Sequence, residues 1–319
     1  MCYILQGSIT WKGCAELPTG IYNGRVVLIN GKVYCGGMTG IRIATADDDY
    51  IVYCYDPSQD KRTTLPPLPV RFFGLGQVNG DLVAVGGQKR DGKGTNEIYT
   101  YDGIRHKWKQ TIPPMPTARW FTNVINFQSA LLVVGGGTPT PTYTAAVEIF
   151  KADTSQWYRT DPLPTACSHI PLVAIGNTCY ALGGWNGSCL NQALYASIDD
   201  LLGNAVPANQ TTHSGSSDTQ SAWKTLPNTL TYRPAAAVLA GKLLAIGGYE
   251  RSLGGAATMK KVYMYSPSTN SWIYISDLPA SRSRVAVAVL SPTEILVIGG
   301  QDDGYRDNTV YKGTLHIKP

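Results

Sequence analysis

An all-β fold of six four-stranded antiparallel blades arranged radially, a six-bladed propeller, is what the sequence predicts, on three observations. An apolar run ending in a glycine pair recurs six times, as VYCGG, LVAVGG, LLVVGG, CYALGG, LLAIGG and ILVIGG, with pairs starting at Gly36, Gly86, Gly135, Gly183, Gly247 and Gly299. Their spacings are 50, 49, 48, 64 and 52 residues, the period of a several-stranded unit whose two faces are buried only by its neighbours. Five tryptophans, Trp11, Trp108, Trp157, Trp223 and Trp272, recur in phase with the pairs.

Each element follows from local chemistry. Ahead of each glycine pair lies a second apolar run, joined to it in blades 1 and 2 by Asn30-Gly31 and Asn79-Gly80, the pairs that a tight two-residue hairpin demands. These runs are the first two strands. A polar loop of variable length then leads to a third strand ending in an aromatic: Tyr55, Tyr101, Phe150, Tyr195, Tyr265 or Tyr311. Seven residues beyond Tyr101, Phe150 and Tyr265 stand Trp108, Trp157 and Trp272, which open the fourth strand, while blade 1 carries Arg62 there. Leu-Pro or Pro-Pro marks the exit.

The chain opens on a lone fourth-strand signature, Trp11 to Leu17-Pro18, and stops at Tyr311–Pro319 without one. The N-terminal strand is therefore expected to complete blade 6, closing the ring and hiding strand edges that would template aggregation. Residues 1–319 read as one domain. Its blades fall near 18–65, 66–115, 116–163, 164–226, 227–278 and 279–319 plus 3–17. Blade 4 is long because 199–222 is inserted between its third and fourth strands, and its polar tail NQTTHSGSSDTQS reads as a surface loop.

Composition sets the bounds. Hydrophobic residues make up 43% and charged residues 15%, with 34 Gly and 20 Pro, a turn-rich globular chain rather than a disordered one. A net charge of +5 without a basic run favours acidic partners mildly and gives no reason to expect nucleic acid. The Met1–Gln6 start is too short and uncharged for a secretory signal, and no 18-residue apolar stretch could cross a bilayer. Cys35, Cys54 and Cys179 fall in apolar strand patterns among seven cysteines, so a reducing, cytoplasmic setting is expected. Sequons at Asn186 and Asn209 are too common a pattern to overturn it.

The double glycine, the aromatic of Tyr55-Asp56-Pro57 and the Trp seven residues later resemble the kelch repeat over essentially the whole chain. The resemblance implies a monomeric protein-binding platform. In kelch substrate receptors, arginines, serines and tyrosines at the start of the innermost strands form a pocket for an acidic peptide. Counting back fourteen or fifteen residues from each glycine pair gives those positions here: Tyr22, Arg71-Phe72, Arg119-Trp120-Phe121, Ser168-His169, Tyr232-Arg233 and Arg282-Ser283-Arg284. Arg71, Arg119, Arg233 and Arg284 are expected to ring one face around Trp120 and Trp185, the two tryptophans outside the repeat template. Loops after the glycines add Gln88, Lys89, Arg90, Tyr249, Arg251, Gln301, Asp302 and Tyr305 to the rim, with Asp302 and Asp303 able to neutralise nearby arginines. Family members that recruit ubiquitin ligases imply an adaptor role by analogy only.

Catalytic readings find less support. A copper oxidase on this fold would need two histidines at the channel, and of His106, His169, His213 and His316 only His169 falls there. The Glu/Asp/His iron pattern and a phosphate-cradling Gly-Lys-Ser/Thr loop are both absent. No cofactor and no catalysis are expected. The alternative is carbohydrate binding or sugar isomerisation at the same rim.

Overall fold

The structure, a computed structural model, describes residues 7–39, 50–139, 143–210, 221–252, 255–302 and 305–317. Six antiparallel sheets carry the repeats. Their innermost strands are Tyr22–Ile29, Gly74–Val78, Asn123–Phe127, Leu172–Ile175, Ala235–Leu239 and Ala286–Ser291. They pack in sequence around the axis, the last against the first. The hairpins that follow turn as their sequences ask: Asn30 and Gly31 both take left-handed φ, 50° and 75°.

The expected closure is found. Gly7–Gly13 lies outermost on blade 6, paired in continuous antiparallel register with the third strand Val310–Ile317, from Gly7 opposite Ile317 to Gly13 opposite Tyr311. Ile9 and Leu17 are buried as part of this closure.

The apolar residues sort into six clusters, one per blade interface. Val33 and Tyr53 of blade 1 pack with Leu296 and Ile298 of blade 6; Cys54 and Val52 of blade 1 pack with Leu75 and Ala84 of blade 2. Sheet-on-sheet burial between neighbours is thus the core, as a unit that cannot bury itself alone requires.

The seven-residue aromatic spacing has a direct cause. It places Trp108, Trp157 and Trp272 opposite Tyr101, Phe150 and Tyr265 across the third and fourth strands, with ring centroids 5.2, 5.3 and 5.5 Å apart. Each indole Nε1 then donates to a carbonyl at the preceding blade's exit: Trp108 to Pro66 at 2.8 Å, Trp157 to Pro113 at 2.7 Å, Trp272 to Pro227 at 2.9 Å. These tryptophans fasten blade to blade.

The glycine pair has a steric cause, clearest in blade 2. Gly86 and Gly87 adopt φ of 63° and 113°. A Cβ on Gly86 would stand 2.5 Å from the Arg119 carbonyl oxygen, while the Gly87 amide donates to that same oxygen at 2.9 Å. Only glycine allows both the left-handed turn and the close approach of the next blade.

The long blade 4 insertion departs from a plain surface loop. Its first part forms a helix, Ile198–Gly203, capped by Ser197, whose side chain accepts from the Asp200 amide. Ile198 and Leu201 enter the core between blades 3 and 4. Val206–Pro207 then adds a fifth strand to blade 3 along Gln156–Thr160. Residues 211–220 lie outside the described ones.

Candidate ligand site at the channel mouth

At one end of the central channel each blade contributes three consecutive residues, and the three have different fates. The first is buried between blades: Ile21, Val70, Arg119 and Arg282 are at most 5% exposed. The second bridges to the loop after the glycine pair, as Tyr22 to Met38, Arg71 to Gln88, Trp120 to Gly137, Ser168 to Trp185, Tyr232 to Tyr249 and Ser283 to Gln301. The third takes left-handed φ between 50° and 59°: Asn23, Phe72, Phe121, His169, Arg233 and Arg284. Six non-glycine residues in a region that costs L-residues about 1–2 kcal/mol each mark a strained rim held by its surroundings.

Backbone bonds tie this rim together. The Asn23 amide donates to the Arg284 carbonyl at 2.9 Å, Phe121 to Phe72 at 2.7 Å and His169 to Phe121 at 3.4 Å. Phe72, Phe121 and His169 form a run of tilted rings with centroids 4.5 and 4.2 Å apart.

The other half of the mouth is cationic. Arg233 donates to Asn23 Oδ1 at 2.7 Å and lies 5.6 Å from the Trp185 ring. Arg284 sits between Tyr22 and Tyr249, 5.6 and 5.7 Å from their rings. Arg25 reaches across from blade 1 to the Thr122 and Phe121 carbonyls, at 2.8 and 3.3 Å. Burial and then Arg233 hold Arg25 down to about 9; burial and then Arg284 hold Arg233 down to about 10. The same surroundings keep His169 well below the ordinary histidine range, through burial first and then Arg233, Arg25 and Arg284. Beneath these groups lies a cavity of about 110 Å³, bounded by Asn23, Arg25, Asn123, His169, Arg233 and Arg284 with strand residues below.

Two arginines expected on the rim need correcting. Arg119 is fully buried and spends its donors on Gly135 O (3.0 Å), Ala146 O (2.8 Å) and Glu148 Oε2 (2.5 Å). Glu148 is equally buried. Arg282, 5% exposed, is bonded to Asp307 and stands 3.6 Å from Asp302. Both occupy the first of the three positions, which points between blades, so they brace the ring instead of facing a ligand.

The remaining expected residues reach the mouth or its edge. Arg71 donates to Gln88 Oε1 at 3.1 and 2.9 Å and lies over Phe72 at 4.5 Å. Trp120 is half-buried, its ring lying where a Cβ on Gly94 would fall 2.7 Å away. Trp185 donates to Tyr143 Oη at 2.9 Å. Lys89 is paired with Glu97 at 3.0 Å, and Arg90 is exposed over Tyr50. The side chains of Arg251 and Tyr305, and all of Asp303, lie outside the described residues.

Sequence reasoning missed three contributors: Asn23, Arg25 and Arg306. Arg306 lies 4.2 Å over the Tyr22 ring and donates to Tyr22 Oη at 3.1 Å. Arg25 enters the channel beside a β-bulge between Tyr22 and Arg25, a device that re-aims a side chain and leaves little trace in a sequence spacing.

Comparison with known proteins agrees with this architecture. The family model described as the KLHDC2/KLHL20/DRC7 Kelch-repeats domain matches residues 73–300. Kelch-like protein 40 of Mus musculus is 30% identical over 158 residues, 49% of this chain and 24% of that protein. Its counterpart in Xenopus tropicalis is 25% identical over 242 residues, 73% of this chain and 36% of that protein. The chain thus spans well under half the length of the curated relatives it matches. A solved structure titled "Structure of YjhT" shares the fold at a TM-score of 0.73 and 14% identity, covering 95% of this chain and 99% of that one. With the family model spanning most of its blades, the chain belongs to the kelch-repeat family.

Proposed function

We propose that this propeller is a non-catalytic binding module, monomeric and cytoplasmic, whose channel-mouth face docks a short acidic segment of another protein. The observation that carries the reading is the convergence of Arg25, Arg233, Arg284 and Arg306 among Tyr22, Trp185 and Tyr249, with no carboxylate paired to any of these four arginines among the described residues. Membership of a family rich in interaction modules supports it.

At the roughly 0.2–1 kcal/mol that an exposed ion pair contributes, charge at the open rim alone reaches only about millimolar affinity. Useful binding needs an apolar anchor in addition. Leu230, 59% exposed and on the loop leading to Tyr232, is available for that role, as are Trp120 and Trp185. A ubiquitin-ligase adaptor, the role drawn from family resemblance, would hold its substrate on this face.

The test is affinity capture with mass spectrometry, running the wild type beside a folded Arg71→Glu/Arg306→Glu variant, with peptide and glycan arrays in parallel. Loss of the same partners from the variant, and acidic peptides on the array, would support the reading. Unchanged partners would defeat it, and selective glycan binding would favour a carbohydrate ligand.

A further inference from the structure

Successive side chains on a strand point to opposite faces, so each innermost strand sends one set of residues between blades and the other into the channel. In blade 5 Ala237 and Leu239 are buried, while Val238 between them is half-buried. In blade 6 Ala286 and Ala288 are buried, and Val287 and Val289 are half-buried. A wall that faces water needs no apolar side chains. Yet Val26, Leu75, Val124, Leu172, Val238 and Val289, one from each blade, line the far part of the channel.

They enclose a second chamber of about 660 Å³, towards the hairpins that end the innermost strands and away from the mouth. Val26, Leu75, Val124 and Leu172 border both this chamber and the cationic cavity, so an apolar waist divides the two. Among the described residues no charged side chain lines the lower chamber, and its polar side chains are Gln77, Asn126 and Ser291. Asn126 is engaged: its Oδ1 accepts from the Gln77 amide at 2.9 Å and its Nδ2 donates to the Gln77 carbonyl. Ser291 Oγ accepts from the Thr293 amide at 3.3 Å. The carboxamide of Gln77 itself is bonded to no described residue.

The geometry points to a small, uncharged and mostly apolar molecule bound in this chamber, with its one hydrogen-bonding group on the Gln77 carboxamide. The volume falls within that of sites for small organic molecules, which are concave, mainly apolar and carry a few polar groups that fix orientation. A charged ligand would lose its hydration with no opposite charge to meet it. Water in such a chamber finds few partners, and displacing it with apolar surface is favourable. A protein segment fits less well, because its backbone brings a donor and an acceptor with nearly every residue, against one carboxamide and one hydroxyl here. The site shares none of its residues with the docking face and lies at the other end of the channel.

The experiment titrates the full chain with N-phenyl-1-naphthylamine, an uncharged dye with a single N–H whose emission rises in apolar surroundings. The competitor is its sulfonated analogue, 1-anilinonaphthalene-8-sulfonate, which has the same rings and a negative charge. The expected result is one saturable site per chain for the neutral dye, displaced by the sulfonate only at roughly tenfold or greater concentration. Ala174→Phe and Val238→Phe, which fill the chamber from blades 4 and 5, should each weaken the neutral dye roughly tenfold or more, since the space it needs is taken. Gln77→Ala should weaken it about two- to tenfold, the loss of one hydrogen bond. Ile104→Ser, exposed on the same face of the ring but outside the chamber, should bind as wild type, which separates the chamber from adsorption on surface apolar groups. Should the filling variants not fold, the competition on the wild type and the Gln77→Ala titration decide. No saturable site, equal displacement by the sulfonate, or undiminished binding in a folded filling variant would overturn the assignment.

Discussion

Replacing Arg119 with methionine removes the guanidinium that links the mouth of blade 3 to its third strand. Two carbonyls, Gly135 O and Ala146 O, lose donors at 3.0 and 2.8 Å, and Glu148 loses its 2.5 Å partner. Glu148 would keep the Thr117 hydroxyl at 2.6 Å and a distant Arg159 at 4.0 Å, too little for a fully buried carboxylate. Removing one member of a buried pair costs about 3–5 kcal/mol, against less than about 1 kcal/mol for an ordinary surface arginine. Equilibrium denaturation in urea, read as the shift in midpoint at constant slope, measures it. Arg119→Met/Glu148→Leu should recover most of the loss, since a packed apolar pair often replaces a buried ion pair at little cost. A loss below about 1 kcal/mol for Arg119→Met, or a double variant no better than the single, would refute the bracing role and return Arg119 to the candidate ligand set.

Three further outcomes follow from the same geometry. The neutral folded His169 faces Arg233, Arg25 and Arg284, so the unfolded chain takes up a proton near pH 6.5 that the folded one refuses; stability present above that pH should fall as pH drops from 7 to 5, and less steeply in His169→Gln. Equal slopes in Tm against pH would contradict it. Gly86→Ala combines the φ cost of about 1–2 kcal/mol with overpacking of about 1–3 kcal/mol, whereas Gly187→Ala, also left-handed but with nothing within 4 Å, should lose only the first; similar denaturation midpoints for the two would reject the steric account of the glycine pair. Deleting residues 1–17 strips Ile9 and Leu17 from the core and the edge from Val310–Ile317, a loss of at least about 3–6 kcal/mol from the two side chains alone. A soluble deletion variant melting at the wild-type temperature would show the ring does not depend on its closure.

The fold was legible because its determinants are steric and periodic. A glycine pair recurs wherever a blade must pass within contact of the next, as Gly86 does against Arg119, and tryptophan recurs at seven residues because that spacing sets Trp157 opposite Phe150. The site was only partly legible, since its function depends on phase at single-residue resolution. Arg119, Trp120 and Phe121 are adjacent in sequence, yet the first is buried between blades, the second bridges to a loop and the third faces the channel. Arginine at the first position braces; at the third, as Arg233 and Arg284, it lines the mouth. Blade 1 hid its contribution for a related reason: Asn23 stands 13 residues before Gly36, whereas Phe72, Phe121, His169 and Arg233 stand 14 before their glycine pairs, so the count lands on Tyr22 instead of Asn23. The insertion misled through composition, because its polar tail concealed a helix whose Leu201 is fully buried.

The most direct test of the docking account is site-specific photo-crosslinking from the two ends of the channel. A crosslinker at Arg90, exposed in the loop after the blade 2 glycines on the mouth face, is compared with one at Ile104, 94% exposed in the turn on the opposite face. The account predicts a partner joined through position 90, competed away by an acidic peptide and weakened by salt, with position 104 unreactive. A partner crosslinked through 104 and not through 90 would contradict it and move the binding surface to the far side of the ring.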